Sequence, residues 1–542
     1  MNIELGTSFC FDDILMEPLL SNISSRKSIS LETNIGINNR KLILKTPLIS
    51  SPMDTVTETD MAIKMALSGG LGIIHRYMSI EDQVSQVTKV KRFLQYIISE
   101  PYKIKPDTHL QEIEQLRKLY NVSSFCVVND YNENILVGIL TKRDIEYMKH
   151  YQNYYNTDKN ENQNKNIQIP NIIASDFMTK IEKLITISIN GTCSNTTNDY
   201  NLNLENTLSL AKDLIHTNKI EKIPILRDNT LIGLITLKNI CHYENNKFKA
   251  CIDSNGALCV GAAIGIVDDY MERLDKLINA GADLICIDVA NGFNTNVFNS
   301  ITTIRNRYPN IVLMVGNVCN WQGYAALAQY DIDCIRVGVG NGSICTTRLE
   351  TGIGKGQFSA VSECFQYKAK TEHIINNNTT NTNTNKQLPN LICDGGSLGK
   401  TGNKVKALAC GSSAIMLGRT LASTIESPGT IIHRNGKRFK YIRGMASTMA
   451  NISKQEKEKH NDSKEKNVSV STHSEGVDGE QELSGSVVDV IDQINGGLKS
   501  GMSYLGCETI QQLHNKNSKG EIKYNLVTSI GMSENGIRVK TY

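Results

Sequence analysis

Short apolar runs alternate with longer amphipathic stretches over most of the chain. Continuous apolar runs of this length predict strands buried on both faces of a parallel sheet, with helices between them. The clearest runs, each followed directly by Gly or Asp, are Leu284–Ile287, Ile311–Val315, Cys334–Val337, Leu391–Cys393 and Ala414–Leu417.

Polar residues at the ends of these runs favour one α/β architecture. Asp288, Asn317 and Asp394 each follow a predicted strand. In a (β/α)₈ TIM barrel, functional side chains gather at the carboxyl ends of the strands. We therefore predict such a barrel, formed by residues 1–96 and 250–542.

Residues 97–249 carry a different, repeated pattern. Val137–Asp144 and Ile232–Asn239 both read as strand, Gly, strand, Thr and then the start of a helix, and each follows an apolar run. Internal repeats indicate duplicated structural units. The pattern resembles a tandem CBS (Bateman) domain, which implies that Thr141, Asp144 and Thr236 contact a regulatory purine nucleotide. A purely structural spacer is the alternative.

Composition excludes several protein classes. The 542 residues exceed one typical domain, and 58 Lys+Arg against 55 Asp+Glu give a net charge of +3, so charge does not indicate a nucleic-acid-binding protein. No apolar stretch is long enough to predict a membrane span, and the acidic N-terminal segment predicts no targeting peptide. The 14 scattered cysteines indicate a reducing, cytoplasmic environment.

Polar tracts interrupt the pattern. Residues 156–166, the region 371–388 and the region 451–470 are rich in Asn, Lys, Glu or Ser. Such segments bury too little apolar surface to offset the entropy cost of ordering, so we interpret them as surface insertions.

The strongest chemical signal is the segment Arg336–Arg348. A predicted strand runs into Gly338, Gly340 and Gly342, and Ser343 and Cys345 follow. Glycines allow the backbone to approach a ligand closely, and successive backbone N–H groups form an anion-binding nest. A thiol just beyond a phosphate nest is positioned to attack the molecule that the phosphate anchors.

Several motifs together resemble one enzyme family. Ser50–Asp54, Gly340–Thr347, Asp394–Gly396, Leu417–Gly418 and Arg443–Met445 occur in the order found in inosine monophosphate dehydrogenases and guanosine monophosphate reductases. The resemblance implies a barrel that binds a purine mononucleotide and a cysteine, here Cys345, that attacks purine carbon 2. It also implies that the CBS pair lies between the second strand and the second helix.

The two branches of the family differ in whether they need an activated water. The resemblance implies an Arg–Tyr pair on a flap of the dehydrogenase, but residues 446–474 contain neither Arg nor Tyr. We therefore predict NADPH-dependent reductive deamination of GMP to IMP and ammonia. Gly72–Arg76 and the CBS insertion look dehydrogenase-like, so the alternatives are IMP dehydrogenase or a catalytically inactive nucleotide sensor.

The resemblance assigns roles to individual residues. Cys345 is the nucleophile, and Thr347 with Glu426 transfers protons. Asp288 and Asn317 lie on the nicotinamide side. The substrate-binding residues are Ser51, Ser343, Asp394, Gly395, Gly396, Gly418, Arg419, Met445, Ala446 and Glu475. Backbone carbonyls of Gly340, Gly342 and Cys345 match a K⁺ site, and the family implies a homotetramer that pairs into octamers.

Overall fold

Eight parallel strands form a closed barrel in the computed structural model of the protein. The structure describes residues 6–94, 97–98, 101–120, 122–129, 135–161, 172–188, 204–227, 229–246, 248–378, 387–396, 398–447, 450, 474–528 and 530–531. The strands are Leu48–Ser50 (β1), Leu71–Ile74 (β2), Gly261–Ile264 (β3), Leu284–Asp288 (β4), Val312–Val318 (β5), Cys334–Val337 (β6), Asn390–Asp394 (β7) and Ala414–Leu417 (β8). They pair in sequence order, and β8 closes onto β1. The predicted (β/α)₈ barrel is confirmed.

Alternate strand residues fill the barrel interior. Ile49, Leu71, Cys286, Met314 and Met416 belong to one buried cluster, to which all eight strands contribute. The opposite faces of the strands are buried too, which explains why they read as continuous apolar runs.

Helices follow the strands and cover the barrel from outside. They are Thr59–Leu67, Ile80–Phe93, Tyr270–Asn279, Thr295–Arg307, Trp321–Leu327, Thr347–Thr351, Gln357–Asn378, Thr401–Ala409, Arg419–Ala422, Val487–Tyr504 and Ile510–Ser518. A three-stranded antiparallel sheet, formed by Ile431–Arg434, Lys437–Arg443 and Asp478–Glu482, is added after β8. Short pairs join Ile14–Met16 to Tyr524–Leu526 and Thr33–Asn34 to Ile43–Leu44. No helix among the residues described has the length and apolarity needed to cross a membrane.

The chain divides into two compact units, residues 1–93 with 246–542 and residues 94–245. The described part of the second unit contains two four-stranded sheets. One consists of Lys103–Ile104, Phe125–Val128, Leu136–Leu140 and Thr179–Lys180. The other consists of Ile97–Ile98, Ile187–Ser188, Lys222–Arg227 and Thr230–Thr236. Its longer helices are Leu110–Tyr120, Lys142–Glu161, Leu204–Asn218 and Leu237–Asn246, with a short one at Ala174–Phe177.

The insertion point differs from the expected one. The second unit begins after the helix Ile80–Phe93, so it lies between the second helix and β3 and not between the second strand and its helix. Lys91, near the end of that helix, donates to Asp253 at 2.8 Å and to Asp283 at 2.9 Å. This ion pair ties the point where the chain leaves the barrel to the point where it returns.

The polar tracts are only partly described. The barrel helix Gln357–Asn378 extends into the predicted polar region 371–388. The helix Lys142–Glu161 includes the start of the predicted polar tract 156–166. Residues 162–171, 379–386 and 451–473 lie outside the described residues.

A buried carboxylate joins several segments at the end of the barrel opposite to the carboxyl ends of the strands. Asp333 is fully buried and accepts hydrogen bonds from the backbone N–H groups of Ile37 and Leu313 at 3.0 and 2.9 Å. It also accepts from Arg40 at 2.8 Å and from Arg305 at 3.2 Å. Neighbouring Asp331 pairs with the same arginines, but its side chain is 48% exposed.

We predict that D333A destabilises the protein far more than D331A. Removing Asp333 leaves buried cations and backbone donors without an acceptor, which costs about 3–5 kcal/mol. Removing the half-exposed Asp331 costs at most about 1 kcal/mol, because water replaces its contacts. Urea unfolding measures both free energies, and equal losses would contradict this account.

Candidate active site

An ion-pair network forms the floor of the site inside the barrel. The Arg336 side chain, on β6, is 6% exposed and donates to Asp288 at 2.6 Å and to Asp394 at 2.8 Å. Burial disfavours its charge, but attraction by Asp394 and Asp288 outweighs burial and raises the pKa of Arg336 well above its ordinary value. One guanidinium thus joins the carboxyl ends of β4, β6 and β7.

Asn317 extends this network to β5. Its Nδ2 donates to the Gly338 carbonyl at 2.7 Å and to Oδ2 of Asp394 at 2.8 Å. Its Oδ1 is buried and has no hydrogen-bond partner among the residues described. Oδ1 is therefore an acceptor that no described residue uses, and the placement of Asn317 on the nicotinamide side stays a prediction.

The Cys345 loop is fastened to the Asp-Gly-Gly loop. Asn341 donates to the Asp394 carbonyl at 2.9 Å and contacts Gln357, and its own carbonyl accepts from Gly396 N–H at 3.2 Å. Gly396 has φ +89°, and a Cβ there would lie 2.5 Å from Cγ of Gln357. Only glycine fits this approach, and phosphate binding by this loop stays a prediction.

Cys345 lies at one end of a hydrogen-bonded chain. Its Sγ is 3.1 Å from Oγ1 of Thr347, and Thr347 donates to Oε2 of Glu475 at 2.8 Å. A threonine hydroxyl has one proton. Since Thr347 gives that proton to Glu475, it accepts the thiol proton of Cys345, and a proton path leads from sulfur to carboxylate.

The segment after the flap holds Glu475 in this position. Thr346 N–H donates to the Glu475 carbonyl at 2.9 Å, and Val477 N–H donates to the Ile344 carbonyl at 3.0 Å. Gly444 lies beside both, and a Cβ on it would be 3.1 Å from the Ile344 carbonyl oxygen. The Arg-Gly-Met motif thus packs directly on the Cys345 loop.

The assignment of Glu426 as the partner of Thr347 is wrong for this chain. Glu426 accepts from Ser486 Oγ at 2.7 Å and from Val487 N–H at 2.8 Å, at the start of the helix Val487–Tyr504. A carboxylate there accepts a hydrogen bond from an N–H that has no partner within the helix, and its negative charge interacts favourably with the helix dipole. The carboxylate that contacts Thr347 is Glu475, which the sequence analysis assigned to base binding.

The remaining motifs meet on the β8 and β1 side of the barrel mouth. Arg443 pairs with Asp54, and Sδ of Met445 accepts from Asp54 N–H at 3.4 Å, with exposed Ala446 next to it. A Cβ on Gly418 would lie 3.9 Å from Cβ of Ser51.

Other predicted substrate and cation ligands lie on the expected loops. Arg419 is bound to Gln481 at 3.1 Å, while Ser343 is exposed on the Cys345 loop and Gly395 has φ +77°. The Gly342 carbonyl accepts from Cys345 N–H at 3.1 Å. The K⁺ site, which also includes Gly340, stays a prediction.

The repeated motif of the second unit forms two similar local structures. Asp144 accepts from the Thr141 N–H at 2.8 Å and from its hydroxyl at 2.6 Å. In the second copy, Thr236 donates to Asn239 at 2.9 Å. Each pair caps the helix that follows, and nucleotide binding there stays a prediction.

Most described barrel thiols are structural. Burial raises the pKa of Cys286 and of Cys393 to about 12, so both stay protonated and unreactive. Cys345 is half-buried. The flap interval, which decided between the two branches in the sequence analysis, falls largely on residues 448–449 and 451–473, outside the described residues.

A family model described as the IMP dehydrogenase / GMP reductase domain matches residues 8–538. The chain belongs to the IMP dehydrogenase/GMP reductase family. An inosine-5′-monophosphate dehydrogenase of Nitrosopumilus maritimus is 36% identical over 515 residues, covering 94% of this chain and 95% of the relative. The same named enzyme of Bacillus subtilis is 36% identical over 528 residues, covering 97% and 94%.

Two of the solved structures that this chain resembles carry the other name. A cysteine-to-alanine variant of GMP reductase from Trypanosoma brucei, in complex with guanosine 5′-monophosphate, matches with TM-score 0.80 and 30% identity over 99% of both chains. GMP reductase from the same organism in complex with guanosine 5′-triphosphate matches with TM-score 0.70 and 27% identity, covering 97% of this chain and 99% of that one. The family enzymes are oxidoreductases of purine nucleotides, and the two names leave open which of the two reactions this chain catalyses.

Sequence analysis missed three structural roles in the site. It assigned none to Arg336 or Asn341, and it overlooked that Glu475 contacts Thr347. An available signal was the arginine inside the apolar run Cys334–Val337, because a charge on a buried strand requires a buried partner. The contacts of Asn341 and Glu475 depend on loop conformation, so no spacing of residues in the sequence predicts them.

We predict that R336M destabilises the protein by about 3–5 kcal/mol, because the Asp288 and Asp394 carboxylates then lie in a mostly buried place without the cation that pairs with both. R336K keeps the charge but not the planar fork, so it should lose less.

Urea unfolding of both variants checks this expectation. Equal losses in R336M and R336K would contradict it.

Proposed function

We propose that this protein is an NADPH-dependent GMP reductase, which converts GMP to IMP and ammonia. The observation that carries the proposal is the contact chain from Cys345 through Thr347 to Glu475. It provides a nucleophile and a proton path that ends on a carboxylate, in a position to serve a leaving amine. Its parts come from two loops that are fastened together by backbone hydrogen bonds.

The reaction uses these groups in two steps. In the first step, Sγ of Cys345 forms a bond to carbon 2 of GMP while its proton passes through Thr347 toward Glu475. The bond from carbon 2 to the amino nitrogen breaks, and the protonated carboxyl returns a proton so that ammonia leaves. A thioimidate between Sγ and the purine remains.

In the second step, bound NADPH would supply a hydride to carbon 2. The bond between carbon 2 and Sγ then breaks, the thiolate of Cys345 is released, and IMP is formed. The chain offers groups that fit a nicotinamide: Asn317 Oδ1 is a buried acceptor that no described residue contacts by a hydrogen bond, suited to a carboxamide N–H, and Asp288 lies on the adjacent strand.

The substrate fits the opposite side of the mouth. The N–H of Gly395 suits a phosphate, while Gly396 shapes the loop through its bond to Asn341. The Oδ1 atom of Asp394 has no hydrogen-bond partner among the residues described, so it suits ribose hydroxyls. Met445, held against Asp54, suits the base.

The absence of Arg and Tyr from residues 446–474 supports the reductase over the dehydrogenase. Hydrolysis of a covalent purine adduct needs a base for water, and a general base contributes about 10²–10⁴-fold to rate. The reductive reaction needs no water. IMP dehydrogenase is the second candidate, because relatives with that name are 36% identical over nearly the whole chain.

We predict that E475Q and E426Q separate the proton-transfer role from helix capping. E475Q should lower kcat for GMP reduction by about 10²–10⁴-fold, because an amide cannot accept the relayed proton. E426Q should keep kcat and lose about 1 kcal/mol of stability, because it weakens a helix cap.

Loss of NADPH absorbance with GMP measures the rates, and urea unfolding measures stability. NADH formation from IMP and NAD⁺ without any oxidation of NADPH by GMP would overturn the reductase proposal. A loss of kcat in E426Q alone would overturn the role given to Glu475.

We also propose that the unit 94–245 binds a regulatory purine nucleotide. The duplicated Thr–Asp and Thr–Asn motifs support this proposal, as does the related GMP reductase that was solved with guanosine 5′-triphosphate. In each copy the hydroxyl and acid or amide lie at a helix N-terminus, where a phosphate is favoured.

We predict that T141A weakens nucleotide binding to the full chain at least about fivefold, because it removes the hydroxyl that positions Asp144 and caps the helix start. Calorimetry with ATP and GTP measures this change. E146Q on the same helix is the control, since Glu146 is exposed on its surface. Unchanged affinities in T141A, or no nucleotide binding beyond the barrel site, would contradict the prediction.

A further inference from the structure

Asn341 lies between two loops that act on the same nucleotide in the proposed reaction. The Asp-Gly-Gly loop carries the groups that suit ribose and phosphate, and the Cys345 loop carries the thiol. Nδ2 of Asn341 donates to the Asp394 carbonyl at 2.9 Å and to Oε1 of Gln357. The Asn341 carbonyl accepts from the Gly396 N–H at 3.2 Å. These bonds join the two loops directly.

The space around the Asn341 side chain fits an amide closely. A Cβ on Gly395 would lie 2.8 Å from its Oδ1, and a Cβ on Gly338 would lie 2.7 Å from its Nδ2. Gln357 is 1% exposed, and its Nε2 donates to the Val337 carbonyl at 2.7 Å while its Oε1 accepts from Asn341. Glycine backbone and a buried amide therefore hold the Asn341 side chain in one position.

Only a short turn separates this anchor from the thiol. Gly342 follows Asn341, and its carbonyl accepts from the Cys345 N–H at 3.1 Å, which closes the turn. Directly after the thiol, the Thr346 N–H donates to the Glu475 carbonyl at 2.9 Å. The thiol thus lies between an attachment to the Asp-Gly-Gly loop and an attachment to the segment that carries Glu475.

The position of the thiol relative to the Asp-Gly-Gly loop decides the rate of attack. A nucleotide held by this loop through ribose and phosphate presents carbon 2 at a set distance from it, because the purine ring is rigid. The sulfur must lie within about 3–3.5 Å of that carbon, and a displacement of about 1 Å can cost about 10²-fold in rate. A side chain that joins both loops therefore controls this distance.

We propose that Asn341 is a positioning residue, which sets the distance between Sγ of Cys345 and carbon 2 of the bound nucleotide. The proposal rests on the proposed function only in that Cys345 attacks carbon 2 of a purine nucleotide. Loss of the amide leaves Asp394 and Gly395 able to hold the nucleotide and leaves the thiol chemically intact. The rate of attack then falls, and nucleotide affinity is kept.

The test uses the 2-chloro analogue of IMP, which reports the attack without any cofactor. Sγ of Cys345 forms a bond to carbon 2, and the bond from carbon 2 to chlorine breaks, with chloride leaving with the electron pair. The thiol proton passes through Thr347 to Glu475. Acid quenching and mass spectrometry of the full chain measure the adduct during the first turnover. The dependence on analogue concentration gives a limiting rate constant and a half-saturating concentration.

Two variants of Asn341 are compared with one matched control. N341A removes the amide, and N341D keeps its shape but turns an acceptor toward the Asp394 carbonyl. N34A is the control, because Asn34 also fastens two backbone groups: its Oδ1 accepts from the N–H groups of Gly36 and Leu42 at 3.1 and 3.0 Å. Asn34 lies in the short strand pair outside the barrel and outside the candidate site.

We expect N341A and N341D to lower the limiting rate constant about 10²-fold with an unchanged half-saturating concentration, because the thiol is displaced and the nucleotide contacts remain. The pH dependence of labelling should keep its shape, since Cys345, Thr347 and Glu475 are all retained. N34A should change neither constant. N341S, which keeps one donor, should show a smaller loss and serves as the test if N341A and N341D do not fold.

An unchanged limiting rate constant in the Asn341 variants would overturn the proposal, and so would an equal loss in N34A. A raised half-saturating concentration with an unchanged limiting rate constant would assign Asn341 to binding and overturn it as well. Absence of labelling in the parent protein would overturn the attack by Cys345 that both proposals assume. Hydrolysis of the adduct to a 2-oxo nucleotide would overturn only the reductase proposal, because the first-turnover constants still report the role of Asn341.

Discussion

The ion pair of Arg336 with Asp288 and Asp394 is the interaction on which the site depends. A single buried guanidinium fixes the carboxyl ends of β4 and β7 from its place on β6, and Asn317 joins β5 to the same carboxylate. Burying these charges is costly unless each has its partners. The network therefore fixes the relative positions of these strand ends. The loops that follow the strands start from these fixed positions.

The loops use this floor in different ways. The Asp-Gly-Gly loop and the Cys345 loop are cross-linked by Asn341, and the segment after the flap adds Glu475 by pairing with the backbone of the Cys345 loop. The chemistry is therefore assembled from chain segments that are more than a hundred residues apart. A hydrogen-bonded path from Sγ to a carboxylate suits the proposed reaction, in which a thiol adds to a purine and its proton must be passed on.

The insertion of residues 94–245 leaves the barrel intact for a physical reason. The ion pairs of Lys91 with Asp253 and Asp283 hold together the segment that leaves the barrel and the segment that returns to it, close to the start of β3. These ion pairs lie at the end of the barrel opposite to the candidate active site, where loop length is least constrained. Long insertions are tolerated where the chain ends that flank them are already close together.

Sequence alone determined the barrel and the repeat and singled out the candidate nucleophile, because these depend on local patterns. Buried parallel strands read as apolar runs, a duplicated unit repeats its own residues, and a Cys after a Gly-rich turn is visible in a few residues. The partner of Thr347 was not determined in this way. Glu426 and Glu475 are both lone acidic residues in turns, and nothing in their spacing separates them. Only the tertiary structure decided, since it placed Glu426 at a helix start and brought Glu475 beside Thr347 through backbone pairing of two distant loops.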